Sequence, residues 1–275
     1  MHAQKTNSAK GHGDVTSSSN VTVIQQVWQH PFVDVLKHFK VCPVSDWKAN
    51  KKHGDVQEGF AREIGRKVMA ISGSISANNY IQIPHPNSMT KTLGLTGRYV
   101  YLQVKAPVSS VPFSFHLDLN MAERSHGIRL SASNLYKQVS TQNGFVMQIP
   151  LNLDVDRWTV IVFDIYNLLK ASRLLPNNYT IEGSYQIKSI TLCANSVVRG
   201  VFTSDNEYDF VTLPPDMRFK FSFDINRWPE YFAWLELPSD IRPGASDAQL
   251  AEERQRQITA KAALRAQNQG QHMND

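Results

Sequence analysis

An alternation of period two is the sequence feature that most constrains the fold. In segment 112–119, every second residue is apolar: Phe113, Phe115, Leu117 and Leu119. Their neighbours are mostly polar, such as His116 and Asp118. Because successive side chains of a strand point to opposite faces, the pattern predicts a strand with one face on a core and the other in water.

Similar segments recur, with Gly, Pro, Asn and Ser at their flanks. Strands are predicted at 67–72, 78–83, 98–105, 112–120, 127–132, 144–149, 157–163, 185–193 and 197–203. Segment 157–163 is apolar on both faces, which predicts a central strand. Many short strands with frequent turn signals indicate an all-β fold, a single β-sandwich or jelly roll.

One or two short helices are predicted beside the strands. From Pro31 onward, apolar residues follow a helical spacing: Phe32, Val35, Leu36 and Phe39. Residues 164–170 predict a short helix with Asp164 as its N-cap and three buried residues, Ile165, Leu168 and Leu169.

The composition divides the chain into three parts. Residues 1–23 are polar and predict a disordered tail, 24–241 form one β-sandwich module, and 242–275 form a polar helical or flexible linker. Within the module, residues 42–66 are polar and basic and predict an irregular segment. Residues 204–240 are rich in aromatics and predict a segment packed over the sandwich, with an exposed partner-binding strip as the alternative.

Composition also indicates the cellular compartment of the protein. The chain has 275 residues, 41% of them hydrophobic, and a net charge of +5. Cys42 and Cys193 form no disulfide framework, so reduced thiols in the cytoplasm are expected. Neither a signal peptide nor an apolar run of about 18 residues is visible in the sequence. These features argue against secreted and membrane proteins.

Catalytic and ligand sites have weak support in the sequence. Ser114, His116 and Asp118 are residue types of a nucleophilic triad, but alternate strand residues are about 6.5–7 Å apart, so we expect an ordinary solvated face. Asp154 and Asp156, near Asp164, are a weak alternative for calcium. The nine histidines form no zinc motif, and no nucleotide-binding loop is present. We therefore predict no enzyme, no metal and no cofactor.

A carbohydrate-binding β-sandwich is the alternative function from another class. The chain has five tryptophans and nine tyrosines, which could stack on sugars if they formed an exposed row on one sheet face. This hypothesis rests on analogy with other jelly rolls. Burial of Trp158, Trp228 and Trp234 would count against it.

Positive charge is concentrated in the first third of the chain. Residues 34–105 contain eleven Lys and Arg against five Asp and Glu, whereas residues 106–241 contain eleven against fourteen. The candidate docking residues for an acidic partner are Lys48, Lys51, Lys52, Arg62, Arg66, Lys67, Arg98 and Lys105. Solubilising loop charges are the alternative interpretation.

Several motifs resemble a known family in their order and spacing. They are Val-Trp-Gln-His-Pro-Phe at 27–32, the run at 71–81, Leu-Gly-Leu-Thr-Gly-Arg-Tyr at 93–99, Ser-Asn-Leu-Tyr at 133–136, Leu-Cys-Ala at 192–194, and the stretch 198–205. Together they resemble the N-terminal inner-junction-type domain of the centriolar WD-repeat protein family. That domain is related to the small cilia- and flagella-associated inner-junction protein of axonemes.

The resemblance implies a jelly-roll-like sandwich that binds microtubules directly and has no catalytic residues. The expected partners are tubulin and centriolar inner-scaffold or inner-junction proteins, with neither nucleic acid nor membrane. The expected location is the cytoplasmic cytoskeleton, at the centriole or basal body and the ciliary axoneme. The basic residues named above would then face tubulin, whose surface is acidic.

Overall fold

The computed structural model describes residues 28–39, 54–106, 111–155, 157–219 and 232–237, together with positions 256 and 259. Within these residues the chain forms two β-sheets that pack face to face. The prediction of an all-β sandwich is confirmed.

The first sheet has seven strands. They are β1 (Val33–Asp34), β2 (Gly54–Ala61), β3 (Arg66–Gly73), β5 (Tyr99–Lys105), β10 (Trp158–Asp164), β12 (Ser196–Ser204) and β13 (Phe232–Leu237). Their order is β13-β10-β5-β12-β3-β2, and β1 pairs with β12. The β10–β13 pair is parallel, and the other pairs of this sheet are antiparallel.

The second sheet has six strands. They are β4 (Tyr80–Ile83), β6 (Ser114–Met121), β7 (Ile128–Ser133), β8 (Ser140–Gln142), β9 (Val146–Pro150) and β11 (Tyr185–Cys193), in the order β4-β11-β6-β7-β9-β8. All nine predicted strands are confirmed, with bounds that differ by at most two residues.

The inner core fills the space between the sheets. Along β6, Phe115, Leu117 and Leu119 are fully buried in it, as their alternation predicts. The ring of Phe115 stacks on Phe163 of the first sheet with 4.7 Å between centroids. This contact joins the two sheets through a well-packed aromatic pair.

A second apolar cluster covers the far face of the first sheet, and we call it the outer core. Its residues are Ala61, Ile64, Val68, Tyr99, Tyr101, Trp158, Val160, Val162, Phe202, Phe210, Leu213, Met217, Phe219, Phe232 and Trp234. The segment 208–219 lies over this face and contributes four of them, including Phe210 and Phe219. The prediction that the aromatic segment packs over the sandwich is therefore confirmed for its described part. Phe221, Phe223, Trp228 and Tyr231 lie outside the described residues.

The two helices are short. Helix α2 (Ile165–Ser172) follows β10, and the Asp164 side chain caps it by accepting a hydrogen bond from Asn167 N, as predicted. Helix α1 (Val35–His38) is a single turn capped by Asp34. The short helix predicted from Pro31 is confirmed but begins only at Val35, because Val33 pairs with Thr203 as a strand residue.

The prediction of an irregular segment at 42–66 is wrong where the structure describes it. Gly54–Ala61 forms β2, the edge strand of the first sheet, which pairs with β3 along its whole length. An edge strand tolerates polar side chains such as Gln57 and Glu58, so its alternation is weak.

The predicted terminal segments are largely untested. The tail 1–23 and both predicted module boundaries lie outside the described residues. From the predicted linker 242–275 the structure describes two positions, Arg256 and Thr259, which are helical and exposed.

Candidate functional site

The β2–β3 hairpin forms one end of the first sheet. Its turn spans Arg62 to Gly65, with Gly65 N donating a hydrogen bond to Arg62 O at 3.3 Å. Gly65 has φ 62°, a left-handed conformation that glycine adopts without strain. Ile64 is fully buried in the outer core, so it anchors the turn to the sheet.

Three predicted docking residues lie around this turn, and with Phe60 we call them the hairpin end: Phe60, Arg62, Arg66 and Lys67. Arg62, Arg66 and Lys67 are exposed, and none has a carboxylate partner among the described residues. Phe60 is 62% exposed and pairs across the strands with Lys67. The hairpin end therefore combines an exposed aromatic ring with cations that have no carboxylate partner in the described part of the chain.

Lys105 lies close to the hairpin but its charge has a partner. Its Nζ is 3.0 Å from Glu63 Oε1, which also accepts a hydrogen bond from Trp158 Nε1 at 3.1 Å. These contacts tie the hairpin turn to β5 and β10. Lys105 thus helps to position the hairpin.

Arg98 lies at the opposite end of β5, roughly 20 Å from Lys105 by the rise of a strand. Its Nε and Nη2 donate to the two oxygens of Asp164 at 3.0 and 2.8 Å. This bidentate bond raises the pKa of Arg98 well above its usual range. The eight predicted residues therefore do not form one patch, and Lys48, Lys51 and Lys52 lie outside the described residues.

A cleft of about 580 Å³ opens beside the hairpin end. Four separate segments build it: the chain before and within α1, strand β3, strand β12 and the 3-10 turn at 215–217. Its lining residues are Trp28, Phe32, Val33, Asp34, Lys37, His38, Arg66, Arg199 and Asp216. The sequence predicted only Arg66 of this set as a docking residue, because the segments are far apart in the chain.

Arg199 is the half-buried cation of this cleft. Its Nη2 donates to the carbonyl oxygen of Asp216, and its guanidinium lies 5.1 Å from the centre of the Phe202 ring. Burial lowers its pKa to about 10, and the nearby charge of Arg66 acts in the same direction. Arg199 remains cationic at neutral pH.

Trp28 forms an apolar wall of the cleft. The indole stacks on the His38 ring with 4.8 Å between centroids, and the residue is 41% exposed. Asp34 also lines the cleft, and its side chain accepts a hydrogen bond from Lys37 N at 3.1 Å. The cleft thus has an aromatic wall beside a mixed but mainly cationic lining.

The residues of the considered triad have other partners. Ser114 Oγ donates to Ser133 Oγ at 3.0 Å, and His116 Nδ1 is 2.8 Å from Ser131 Oγ. Asp118 accepts both bonds of a bidentate pair with Arg129, at 2.6 and 2.9 Å. The three side chains therefore belong to separate hydrogen bonds on the outer face of the second sheet.

The pKa of His116 is lowered to about 4, mainly by burial and also by the charge of Arg129, while Asp118 opposes the shift. The imidazole is therefore neutral at pH 7, as a structural side chain that shares a hydrogen bond with a serine.

The aspartates considered as calcium ligands also have other partners. Asp154 pairs with Arg157 at 3.0 Å, and Asp164 pairs with Arg98 while capping α2. Asp156 lies outside the described residues. Across the described part of the chain, no three His, Cys, Asp or Glu residues form a metal-binding group. The helices among those residues include none that is long and apolar enough to cross a membrane.

The tryptophans give little support to a sugar-stacking row. Trp158 and Trp234 are 2% and 5% exposed and lie in the outer core, where 208–219 covers them. Trp228 lies outside the described residues. The exposed rings Trp28, Phe60 and Phe145 come from three different places in the fold.

Comparison with known proteins identifies the family. The CFA20 domain matches residues 23–221. WD repeat-containing protein 90 of Mus musculus is 35% identical over 222 residues, covering 75% of this chain and 11% of the relative. Centriole proteome protein 16 of Chlamydomonas reinhardtii is 34% identical over 217 residues, covering 78% of this chain and 9% of the relative. The chain belongs to the CFA20 domain family.

Members of the CFA20 domain family differ greatly in length. The chain spans about a tenth of the two long relatives. Cilia- and flagella-associated protein 20 of Paramecium tetraurelia is 24% identical over 191 residues, and the match covers 70% of this chain and 93% of that protein. The domain therefore occurs nearly alone in one relative and as a small part of others, and these relatives include proteins named for centrioles and cilia.

Proposed function

We propose that this CFA20 domain is a non-enzymatic microtubule-binding module of a centriole or cilium protein. Its membership of a family with centriolar and ciliary relatives supports the setting. The observation that carries the proposal is the hairpin end, where Arg62, Arg66 and Lys67 surround an exposed Phe60 without carboxylate partners in the described structure.

Physical complementarity makes tubulin a suitable partner for this surface. The outer surface of tubulin and its tails are acidic, so exposed cations steer encounter and strengthen docking at low salt. Arginine and aromatic side chains are also the residues that most often dominate binding energy at protein interfaces. The hairpin end offers both kinds of side chain on one rigid turn.

Fewer basic residues are proposed to contact tubulin than the sequence alone predicted. Arg98 and Lys105 have acidic partners, and we assign them structural roles. Lys48, Lys51 and Lys52 stay in the proposal as additional cations. Docking near the inner junction of the doublet, and contacts with inner-scaffold or inner-junction proteins, are parts of the same proposal.

The cellular setting that we propose is the cytoskeleton of the cytoplasm, at the centriole or basal body and in the ciliary axoneme. A non-enzymatic role is supported by the separate hydrogen bonds of Ser114, His116 and Asp118. Such a domain acts by docking, and its contribution to centriole or axoneme architecture is mechanical.

Co-sedimentation with polymerised tubulin tests the proposal. The test variant reverses two charges of the hairpin end, Arg62→Glu with Lys67→Glu. The matched control reverses two exposed lysines on other elements, Lys137→Glu with Lys188→Glu. We expect the wild type and the control to pellet with microtubules at low salt, and we expect pelleting to decrease as salt increases.

The hairpin variant should pellet at least about tenfold more weakly, as expected when several charged contacts of about 1 kcal/mol each are reversed. Equal pelleting of the hairpin variant and the control would reject the hairpin end as the docking surface. A folded wild-type domain that does not pellet at low salt would reject microtubule binding itself.

A further inference from the structure

We propose that the cleft beside the hairpin end binds an acidic peptide in which a carboxylate adjoins an aromatic side chain. The proposal rests on the proposed function only for the source of the peptide, an acidic tail of tubulin. The cleft itself is defined by its own charges, walls and volume.

The charges of the cleft favour a peptide with carboxylates. Three permanent cations line it, Lys37, Arg66 and Arg199, against two carboxylates, Asp34 and Asp216. Asp34 is held as the cap of α1 by its bond to Lys37 N. Arg66 has no carboxylate partner in the described part of the chain, so its guanidinium is available to a ligand.

The guanidinium groups of Arg66 and Arg199 repel each other in this cleft. Arg199 is half-buried, and the neighbouring Arg66 disfavours its charged form. An anion bound between two guanidinium groups relieves this repulsion, and a carboxylate matches the planar donor fork of arginine. Because the carboxylates Asp34 and Asp216 line the same cleft, a single negative charge fits the lining better than a phosphate dianion.

The walls favour an aromatic neighbour to that carboxylate. Trp28 is 41% exposed and already stacks on His38, so its outer face is available to a further ring. Phe32 and Val33 continue the apolar lining. About 580 Å³ is enough for a peptide side chain and the carboxylate beside it.

Fluorescence anisotropy with a labelled peptide, Gly-Glu-Glu-Glu-Tyr, tests the inference on the full chain. We expect saturable binding to the wild type and to Lys188→Glu. Binding to Arg66→Glu should be at least about tenfold weaker, because a charge-assisted contact is replaced by repulsion. Arg66 is exposed, and matched melting curves check that the variant is folded.

Two further peptides separate the parts of the cleft. All peptides are amidated at the C-terminus, so the Glu side chains supply their only carboxylates. Replacing the three Glu by Gln should then abolish binding, and replacing Tyr by Ala should weaken it severalfold. If the ring contacts the indole, the Tyr-to-Ala effect disappears in Trp28→Ala, which is the signature of direct coupling.

Equal affinity of Arg66→Glu and the wild type would overturn the inference, and so would equal affinity for the Gln peptide. Self-association that is lost in Arg66→Glu, without peptide binding, would assign the cleft to a second copy of the chain and overturn it as well. Microtubule pelleting without peptide binding would overturn the cleft inference and leave the proposed function in place. Peptide binding without microtubule pelleting would support the cleft inference and reject the proposed function.

Discussion

At the scale of single residues, the partner of a basic side chain decides whether it can dock. Arg98 follows Gly97 at the start of the predicted strand 98–105 and looks available in the sequence. In the fold it holds Asp164 in two hydrogen bonds and lies 5.0 Å from the Tyr99 ring and 5.1 Å from the Tyr166 ring. Local sequence could not reveal this partner, which is 66 positions away in the chain.

Asp164 combines an ion pair with a helix cap. Asp164→Ala removes both the bidentate bond to Arg98 and the cap of α2, so it should destabilise the domain by about 2–4 kcal/mol. Arg98→Gln should destabilise it less, because the cap remains. Urea unfolding of the two variants checks the order, and equal losses would contradict the double role. Microtubule pelleting at low salt should be unchanged in Arg98→Gln.

His116 should make stability depend on pH. Its pKa is about 4 in the folded domain and 6.5 ordinarily, so the unfolded chain takes up a proton first as pH falls. The contribution of neutral His116 to the stability of the fold is therefore complete above pH 6.5 and is lost progressively between pH 6.5 and 4.

The measurement is the urea midpoint at pH 7 and at pH 5 for the wild type and His116→Gln. We expect the wild-type midpoint to decrease more than that of the variant, whose amide does not titrate. Parallel decreases in both proteins would show that carboxylates alone cause the effect.

At the scale of elements, apolar side chains have two different roles. The segment 208–219 places Phe210 and Phe219 in the outer core, where Phe219 stacks on Phe232 with 4.7 Å between ring centroids. Strand β2 instead leaves Phe60 largely exposed. Phe219 therefore stabilises the fold, whereas Phe60 is free to contact a partner.

A pair of substitutions separates these roles. Phe219→Ala should destabilise the domain by about 3–5 kcal/mol, because it opens a cavity against Trp158 and Phe232. Phe60→Ala should leave the melting temperature nearly unchanged and weaken microtubule pelleting. Thermal melts together with co-sedimentation measure both effects. A stable Phe219→Ala variant would argue that 208–219 is only loosely attached.

Sequence reasoning succeeded for elements that alternate strongly and failed where burial is unusual. Strand β6 faces a core on one side and water on the other, so its pattern was clear. Strand β13 was missed because Phe232 and Trp234 face the outer core while Leu235 and Leu237 face the inner core. A strand buried on both faces has no alternation. The three-residue edge strand β8 is entirely polar, so its sequence gives no strand pattern.

At the scale of the whole molecule, the first sheet is shared by two cores. On β5, Leu102 and Val104 face the inner core, while Tyr99 and Tyr101 face the outer core. On β10, Ile161 faces the inner core and Val162 faces the outer core. Neither core can lose its packing without exposing one face of these strands.

This sharing predicts a single cooperative unfolding transition for the domain. Near-ultraviolet circular dichroism reports on the buried Trp158 and Trp234 of the outer core, and far-ultraviolet circular dichroism reports on both sheets. The two urea curves should coincide within error. A near-ultraviolet transition at lower urea would show that the outer core opens first and independently.

The candidate site was only partly predictable for a related reason. Charge counting found Arg66, but the cleft also needs Trp28, Arg199 and Asp216, which the fold brings from distant parts of the chain. No spacing rule connects these positions in a single sequence. The same counting included Arg98 and Lys105, whose carboxylate partners also come from elsewhere.

Because β13 is parallel to β10, it begins at the end of the first sheet near the hairpin turn and finishes at the opposite end. Phe232 is level with Trp158 near the hairpin turn, and Leu237 is level with Phe163 near Arg98. The backbone therefore departs from β13 at the end remote from the hairpin, about six residues or roughly 20 Å away. If the hairpin end docks on a microtubule as we propose, β13 ends about one strand length away from the docked surface. A partner that contacted Leu237 would then lie roughly 20 Å from the microtubule surface, separated from it by the length of the sandwich.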